Sequence, residues 1–182
     1  MKYLVTGGAG FIGSHIVQTL LEQGSSVRVL DNFSTGKPEN LEGLRQQFSQ
    51  DRLEILEGDL RNSSQVEQAV RGIEVIFHEA AFVSVPQSMA EPQTCFDVNI
   101  TGTSRLLDAA RAAGVRRAVV ASSAAIYGES DALPLVEETL PQPLSPYAVS
   151  KRVKEMYAEL FRGSFGLEVV GVRYFNVLGP SH

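Results

Sequence analysis

Thr6-Gly7-Gly8-Ala9-Gly10-Phe11-Ile12-Gly13 follows the apolar run Tyr3-Leu4-Val5 and leads into His15-Ile16-Val17 and Leu20-Leu21. The order is strand, glycine turn, helix, with Gly7, Gly10 and Gly13 at GxxGxxG spacing. In that context each glycine has a task. Gly7 turns the chain sharply out of the strand. Gly10 leaves the backbone open to a phosphate, and Gly13 lets the helix lie close to the sheet. A helix that starts here aims N–H groups and the positive end of its dipole at a pyrophosphate. Ser26-Val27-Arg28-Val29-Leu30 reads as a second strand and ends at Asp31, 18 residues after Gly13. A carboxylate at that distance accepts hydrogen bonds from an adenosine ribose and repels a 2′-phosphate, which points to NAD over NADP.

Composition narrows the class. The 182 residues, 43% apolar and 20% charged, suit one soluble domain over residues 1–182. A net charge of −5 makes no electrostatic case for nucleic acid or an anionic membrane. Cys95 is the sole cysteine, so an internal disulfide and a cysteine metal cluster are both excluded; it reads as a buried small hydrophobe. There is no HExxH pair and no apolar run of membrane length. A first strand at residue 2 or 3 leaves no room for a leader, so a cytoplasmic location is expected.

The rest of the chain alternates. Leu53–Glu57 is a third strand, followed by Asp59, and Asn62 or Ser63 is placed to cap a helix over 63–71. Glu74–Phe77 is the fourth strand; His78 at its end is expected to bond to backbone. Phe96, Ile100, Leu106, Leu107 and Ala110 predict one long helix from Pro92 to Gly114, with Asn99 inside it in a buried hydrogen-bonding role. Arg117–Ala121 is the fifth strand and runs into Ser122-Ser123; 129–146 is a polar, proline-rich loop. A helix from Tyr147 to about Phe165 precedes a sixth strand at Leu167–Val172. Six strands alternating with helices predict an α/β fold with a doubly wound parallel sheet, a Rossmann fold of order 3-2-1-4-5-6 with its crevice at the carboxyl ends of the strands.

Tyr147 and Lys151 are four apart at a helix start and share one face. A phenol with an ordinary pKa near 10 needs help to act as a base at neutral pH. A nearby ammonium and a cationic nicotinamide ring would favour the phenolate, making Tyr147 a general base for a substrate hydroxyl. Ser123, ending the central strand, would hold the same oxygen.

Together these stretches resemble the NAD-dependent epimerase/dehydratase family of the extended short-chain dehydrogenases/reductases, most closely its UDP-sugar 4-epimerases. The likeness rests on TGGAGFIGSH at 6–15, DNFSTGK at 31–37, GDL at 58–60, HEAAFVSVPQS at 78–88, NITGT at 99–103, SSAAIYG at 122–128, SPYAVSK at 145–151 and RYFNVLGP at 173–180. The resemblance implies a catalytic set of Ser123, Tyr147 and Lys151. It implies NAD contacts at Gly7, Gly10, Phe11, Ile12 and Gly13 for pyrophosphate, and at Asp31, Asn32, Ser34, Gly36 and Lys37 for adenosine ribose. Asp59 and Leu60 would meet adenine. Ala80, Ala81, Asn99, Ser122 and Tyr174 would complete the cofactor site, with Lys151 also on the nicotinamide ribose. Ser84, Ser123, Tyr147 and Asn176 would face a UDP-sugar substrate, and no metal is implied.

Dehydratases of the family carry an acidic pair where this chain has Ala124-Ala125, which favours epimerisation. Another dehydratase or reductase, or a non-catalytic NAD-binding module, are the alternatives. Family members also continue into a smaller substrate domain, toward which 173–182 would begin the transition; that domain is expected to be missing here, with Ser181-His182 replacing the usual continuation. Homodimerisation through helices near 92–113 and 147–164 is implied as well.

Overall fold

A computed structural model describes residues 1–130 and 133–179. Pro180 of the last quoted motif, Ser181 and His182 lie outside the described residues, as do 131 and 132 of the proline-rich loop. Six strands, β1 (Lys2–Thr6), β2 (Ser26–Asp31), β3 (Leu53–Glu57), β4 (Val75–His78), β5 (Arg117–Ser123) and β6 (Glu168–Tyr174), form one sheet. Its order is β3-β2-β1-β4-β5-β6, and every pair is parallel. This is the expected doubly wound topology, reversing direction between β1 and β4.

Alternation along the strands divides the core. Leu4, Leu30, Ile76, Ala118 and Val169 pack with α3 (Ser63–Val70), α6 (Gly102–Ala112) and α7 (Pro146–Ser164). Val5, Val27, Val29 and Leu53 pack on the other face with α1 (Phe11–Glu22) and α2 (Glu39–Gln47). On that second face Val170 of the edge strand β6 is exposed.

Local chemistry explains the helix starts that matter for the site. Asn62 Oδ1 accepts from the Ser64 and Gln65 N–H groups, so Asn62 caps α3. Ser145 Oγ accepts from Ala148 N at 3.1 Å and Pro146 follows it, so α7 begins one residue before Tyr147.

Three elements differ from expectation. Ser84 caps an extra helix, α4 (Val85–Ala90), which the short stretch before Pro92 did not reveal by periodicity. The long helix from Pro92 is α5 (Pro92–Phe96), a π-helical turn at Asp97–Thr101, and α6. A 3-10 turn at Ala124–Tyr127, capped by Ser123, follows β5. The π turn has a physical cause in Asn99, which is fully buried and spends its amide on neighbouring elements.

Candidate active site

The quoted stretches meet at the carboxyl edge of the sheet, where β1 and β4 part. Gly7 has φ +70°, a conformation that a side chain disfavours, and a Cβ there would stand 2.6 Å from Ala80 N. Gly13 does not owe its place to the sheet, as its spacing suggested: a Cβ there would collide with the Gly7 carbonyl of the turn itself. Helix α1 starts at Gly10 with no side-chain cap. Phe11 and Ile12 form its first turn, and Phe11 stacks edge-on against His15 at 5.0 Å between ring centroids. An uncapped helix start behind glycines is a cradle shaped for a phosphate group.

Asp31 is buried at the end of β2, and its carboxylate accepts from Ala9 N and Phe33 N, both at 2.9 Å. It thereby ties the glycine turn to the 32–37 loop. Asn32 accepts from Ser34 N and donates to Asp59 Oδ2 at 2.8 Å, bridging the loops after β2 and β3. Arg61 pairs with Asp59, and its hydrogen bonds hold that carboxyl far below the usual carboxylate range. Asn32, Asp59, Glu57, Gly58 and Gln65 line an open cleft. Gly36 sits so close that a Cβ would be 2.9 Å from Ala9 Cβ, while Lys37 N and Asn40 Nδ2 both donate to Ala9 O. Leu60 is buried, its side chain facing Gly102 of α6, so only its backbone can reach the cleft.

The second half of the site is built on α7. Lys151 is buried and donates to Ala121 O at 3.0 Å; its Nζ lies 5.5 Å from the Tyr147 ring centroid. The Ser123 hydroxyl hydrogen-bonds Tyr147. Serine, tyrosine and lysine therefore do converge. Burial pushes the Tyr147 phenol up, and the Ser123 hydrogen bond draws it partly back. The ammonium expected to lower it is turned toward Ala121 O instead. Burial also lowers Lys151, to about 8, against the raising influence of Glu79.

Asn99 braces this arrangement. Its Oδ1 accepts from Phe82 N at 2.7 Å, and its Nδ2 donates to Phe82 O at 3.0 Å and Ser150 Oγ at 2.9 Å. The loop after Ala80 and Ala81 is thus clamped to α7. Ser84 is spent on capping α4, and Asn176 is exposed beyond β6. Ser122 points the other way from Ser123 and donates to Glu155 at 2.7 Å, so any contact it makes at the edge falls to its backbone.

Sequence reasoning missed four participants. Glu79 accepts from Tyr174 OH at 3.2 Å, and burial pushes both groups' pKa values up. Ser88 Oγ accepts from Tyr147 N at 3.2 Å, fixing the first turn of α7. Lys154 is buried one turn beyond Lys151, and Glu155 beside it holds Arg173. The one available signal was the pair of charged residues, Lys154 and Glu155, on the core-facing stripe of α7. His78 bonds to the side chains of Thr6 and Thr103, not to backbone, because both threonines project into the space its ring fills.

The NAD dependent epimerase/dehydratase family model matches residues 3–182. The chain belongs to this family. Among members, it is 39% identical over 183 residues to a UDP-glucose 4-epimerase of Streptomyces lividans, an alignment covering 99% of this chain and 53% of that protein. Of solved structures, it is similar to the Thermus thermophilus UDP-glucose 4-epimerase in complex with NAD (45% identity, TM-score 0.90, 100% of this chain and 57% of that one). It is similar too to the UDP-N-acetylglucosamine 4-epimerase of Methanobrevibacter ruminantium in complex with UDP-N-acetylmuramic acid (40%, TM-score 0.91, 98% and 56%). A dTDP-glucose 4,6-dehydratase of Streptomyces venezuelae shares the fold at 36% identity and a TM-score of 0.92. The chain spans about half the length of the curated relatives it matches. Among the described residues, no group of three or more His, Cys, Asp or Glu side chains could hold a metal, and no helix is long and apolar enough to cross a membrane.

Proposed function

We propose that residues 1–182 are the NAD-binding and proton-transferring part of a UDP-sugar 4-epimerase, acting on the UDP-glucose/UDP-galactose pair or its N-acetyl counterpart. The observation that carries this reading is the convergence of Ser123, Tyr147 and Lys151 on the edge that also holds the uncapped glycine cradle. The cradle and the buried Asp31 fit NAD: Gly7, Gly10, Phe11, Ile12 and Gly13 would meet its pyrophosphate. Asp31, Asn32, Ser34, Gly36 and Lys37 would surround the adenosine ribose, with Asp59 and the Leu60 backbone at adenine. Ala80, Ala81, the Ser122 backbone, Lys151 and Tyr174 would line the nicotinamide end, braced by Asn99.

NAD, when bound, would supply a hydride acceptor and donor at sugar C4. Tyr147, its phenolate favoured by the Ser123 hydrogen bond with the Lys151 ammonium 5.5 Å from its ring, would take the proton of the 4-hydroxyl and give it back to the same oxygen, while the hydride would return to the opposite face of C4 after the 4-keto sugar turns. Ser123 orients the reacting oxygen, with Ser84 and Asn176 toward the rest of the substrate. Elimination of water would need a further acid and base, and Ala124-Ala125 provide neither; this weighs against a dehydratase. Residues 173–182 would lead toward the length that relatives possess beyond this region. A homodimer would use α5, α6 and α7, where Phe96, Val149, Met156 and Leu160 are exposed. A cytoplasmic location suits soluble nucleotide-sugar substrates.

An NMR time course with NAD and UDP-galactose, and separately UDP-N-acetylgalactosamine, tests the proposal. The C4 epimer should form with the wild-type chain and not with Tyr147→Phe. NAD binding without conversion of either sugar would refute self-sufficient epimerisation and favour a cofactor-binding module.

A further inference from the structure

Lys154 is 1% exposed, on the core-facing side of α7, yet its ammonium would have little to answer it. Around it stand His78 and Glu79 from the end of β4, Cys95 from α5, and Lys151 from its own helix. Among the described residues, Glu79 is the only carboxylate acting on either buried lysine. One carboxylate can support one buried ammonium; a second would be left uncompensated.

The hydrogen-bond pattern decides which lysine carries the charge. Thr103 Oγ1 lies 2.6 Å from Asn99 O, a pure acceptor, so its proton points there. Thr103 Oγ1 is then an acceptor toward His78 Nε2 at 2.8 Å, and Nε2 carries the ring proton. On the other side, Thr6 Oγ1 accepts from Ala80 N and donates to His78 Nδ1 at 2.7 Å. The His78 tautomer is thus assigned with hydrogen on Nε2. Lys154 Nζ is 3.3 Å from that same Nε2 and 3.3 Å from Ala80 O. Because the Nε2 proton is committed to Thr103 Oγ1, Nε2 offers Lys154 no lone pair, and Ala80 O is the acceptor left to it. An ammonium would hold three donors against that one acceptor, whereas an uncharged amine has two donors and can take a share of the Nε2–H in a bifurcated bond.

We propose that Lys154 is a positioning residue: held as an uncharged amine, it pins the His78 ring and the Ala80 carbonyl under the Ala80-Ala81 segment and leaves Lys151 the one ammonium beside Tyr147. Burial acts in the same direction on its titration, and the neighbouring Lys151 charge adds to it. The functional part of this inference rests on the NAD-binding reading above; the charge assignment does not.

The test has two arms. The chain contains only four lysines, Lys2, Lys37, Lys151 and Lys154, so a sample with 13C-labelled lysine gives a sparse Cε spectrum that can be followed against pH. Lys151→Met assigns its own signal. Lys154 should be uncharged at pH 7.5 while Lys151 is still largely charged, and Lys154 should titrate at higher pH in Lys151→Met, where the competing charge is gone. A Lys154 signal that titrates with Lys2 and Lys37 overturns the proposal, and this arm needs neither NAD nor a Lys154 variant that folds. The second arm measures NAD affinity by calorimetry between pH 5.5 and 8.5. The wild-type affinity should fall several-fold toward low pH. Lys154→Gln, whose amide can both donate to Ala80 O and accept from His78, should match wild type at pH 7.5 and lose that pH dependence. Lys154→Arg, permanently charged, should bind NAD at least tenfold more weakly throughout. Wild-type behaviour in Lys154→Arg would refute the positioning role. Absence of NAD binding by the wild-type chain would refute the cofactor reading and with it the positioning role, leaving the charge assignment to the first arm.

Discussion

Glu155→Gln should cost this domain more stability than any other single-atom change on α7. The Glu155 carboxylate is buried and receives four hydrogen bonds: Ser122 Oγ at 2.7 Å, Arg152 NH1 at 2.9 Å, and Arg173 Nε and NH2 at 2.8 and 3.0 Å. Glutamine would remove the charge and, whichever way its amide is turned, set an NH2 against an N–H of the Arg173 guanidinium, which can only donate. Removing one partner of a buried ion pair typically costs about 3–5 kcal/mol. The Arg173 and Arg152 side chains remain 22% and 33% exposed and can recover some hydration, which places the expectation near the lower end, about 3 kcal/mol. For a domain of this size that is a fall in Tm of about 6–12 °C. Urea unfolding followed by circular dichroism should show a lower midpoint with an unchanged slope. The same pairing holds the Glu155 carboxyl below its usual range. Because its folded pKa is depressed, the contribution is present above the unfolded value near 4.5 and is lost as pH falls through the folded value. Wild type should therefore lose this stability on acidification below about pH 4.5, and Glu155→Gln should lack that segment of the curve. A stability loss under about 1 kcal/mol, or an acid limb identical to wild type, would refute the reasoning.

Three further outcomes follow from the site. Gly13→Ala must displace the Gly7 carbonyl, so NAD affinity should drop at least about tenfold, measured by calorimetry, with the rest of the fold retained. Lys151→Met should abolish epimer formation while stabilising the domain. Burial lowers Lys151 from 10.5 to about 8, so the unfolded chain binds the extra proton between those values and stability rises with pH across that window; below it the full cost, about 3 kcal/mol, is present, and urea melts at pH 7 should show the variant gaining a substantial part of it. Asn99→Ala leaves Phe82 N and O without their partner and should cost about 2 kcal/mol by urea denaturation, with weaker NAD binding because the loop after Ala81 is released.

The fold and most of the candidate edge were legible because they depend on short-range rules. Strand alternation, the spacing of Gly7, Gly10 and Gly13, and a helix start at Tyr147 each act over a few residues; the first two appear where the sequence placed them, and α7 begins one residue earlier, at Pro146, behind its Ser145 cap. The short helix α4 and the π turn at Asp97–Thr101 were not legible. The first is set by the Ser84 cap, and the second by Asn99 reaching across to Phe82 and Ser150, 17 and 51 residues away.

From the order of its residues alone, this chain declares a doubly wound sheet, a phosphate cradle, an acid after β2 and a tyrosine–lysine pair on one helical face. These are local patterns, and backbone geometry turns each into a shape without help from distant segments. What the tertiary structure decided is the charge and orientation of the groups that meet there. Lys151 turns to Ala121 O, Glu79 accepts from Tyr174, and His78 lies between two threonines from different elements. Lys154 is buried against the carbonyl of Ala80, 74 residues distant. Desolvation and hydrogen-bond complementarity arise only when α7 closes over β4 and β5, so no reading of α7 by itself could have told which of its two lysines keeps its proton.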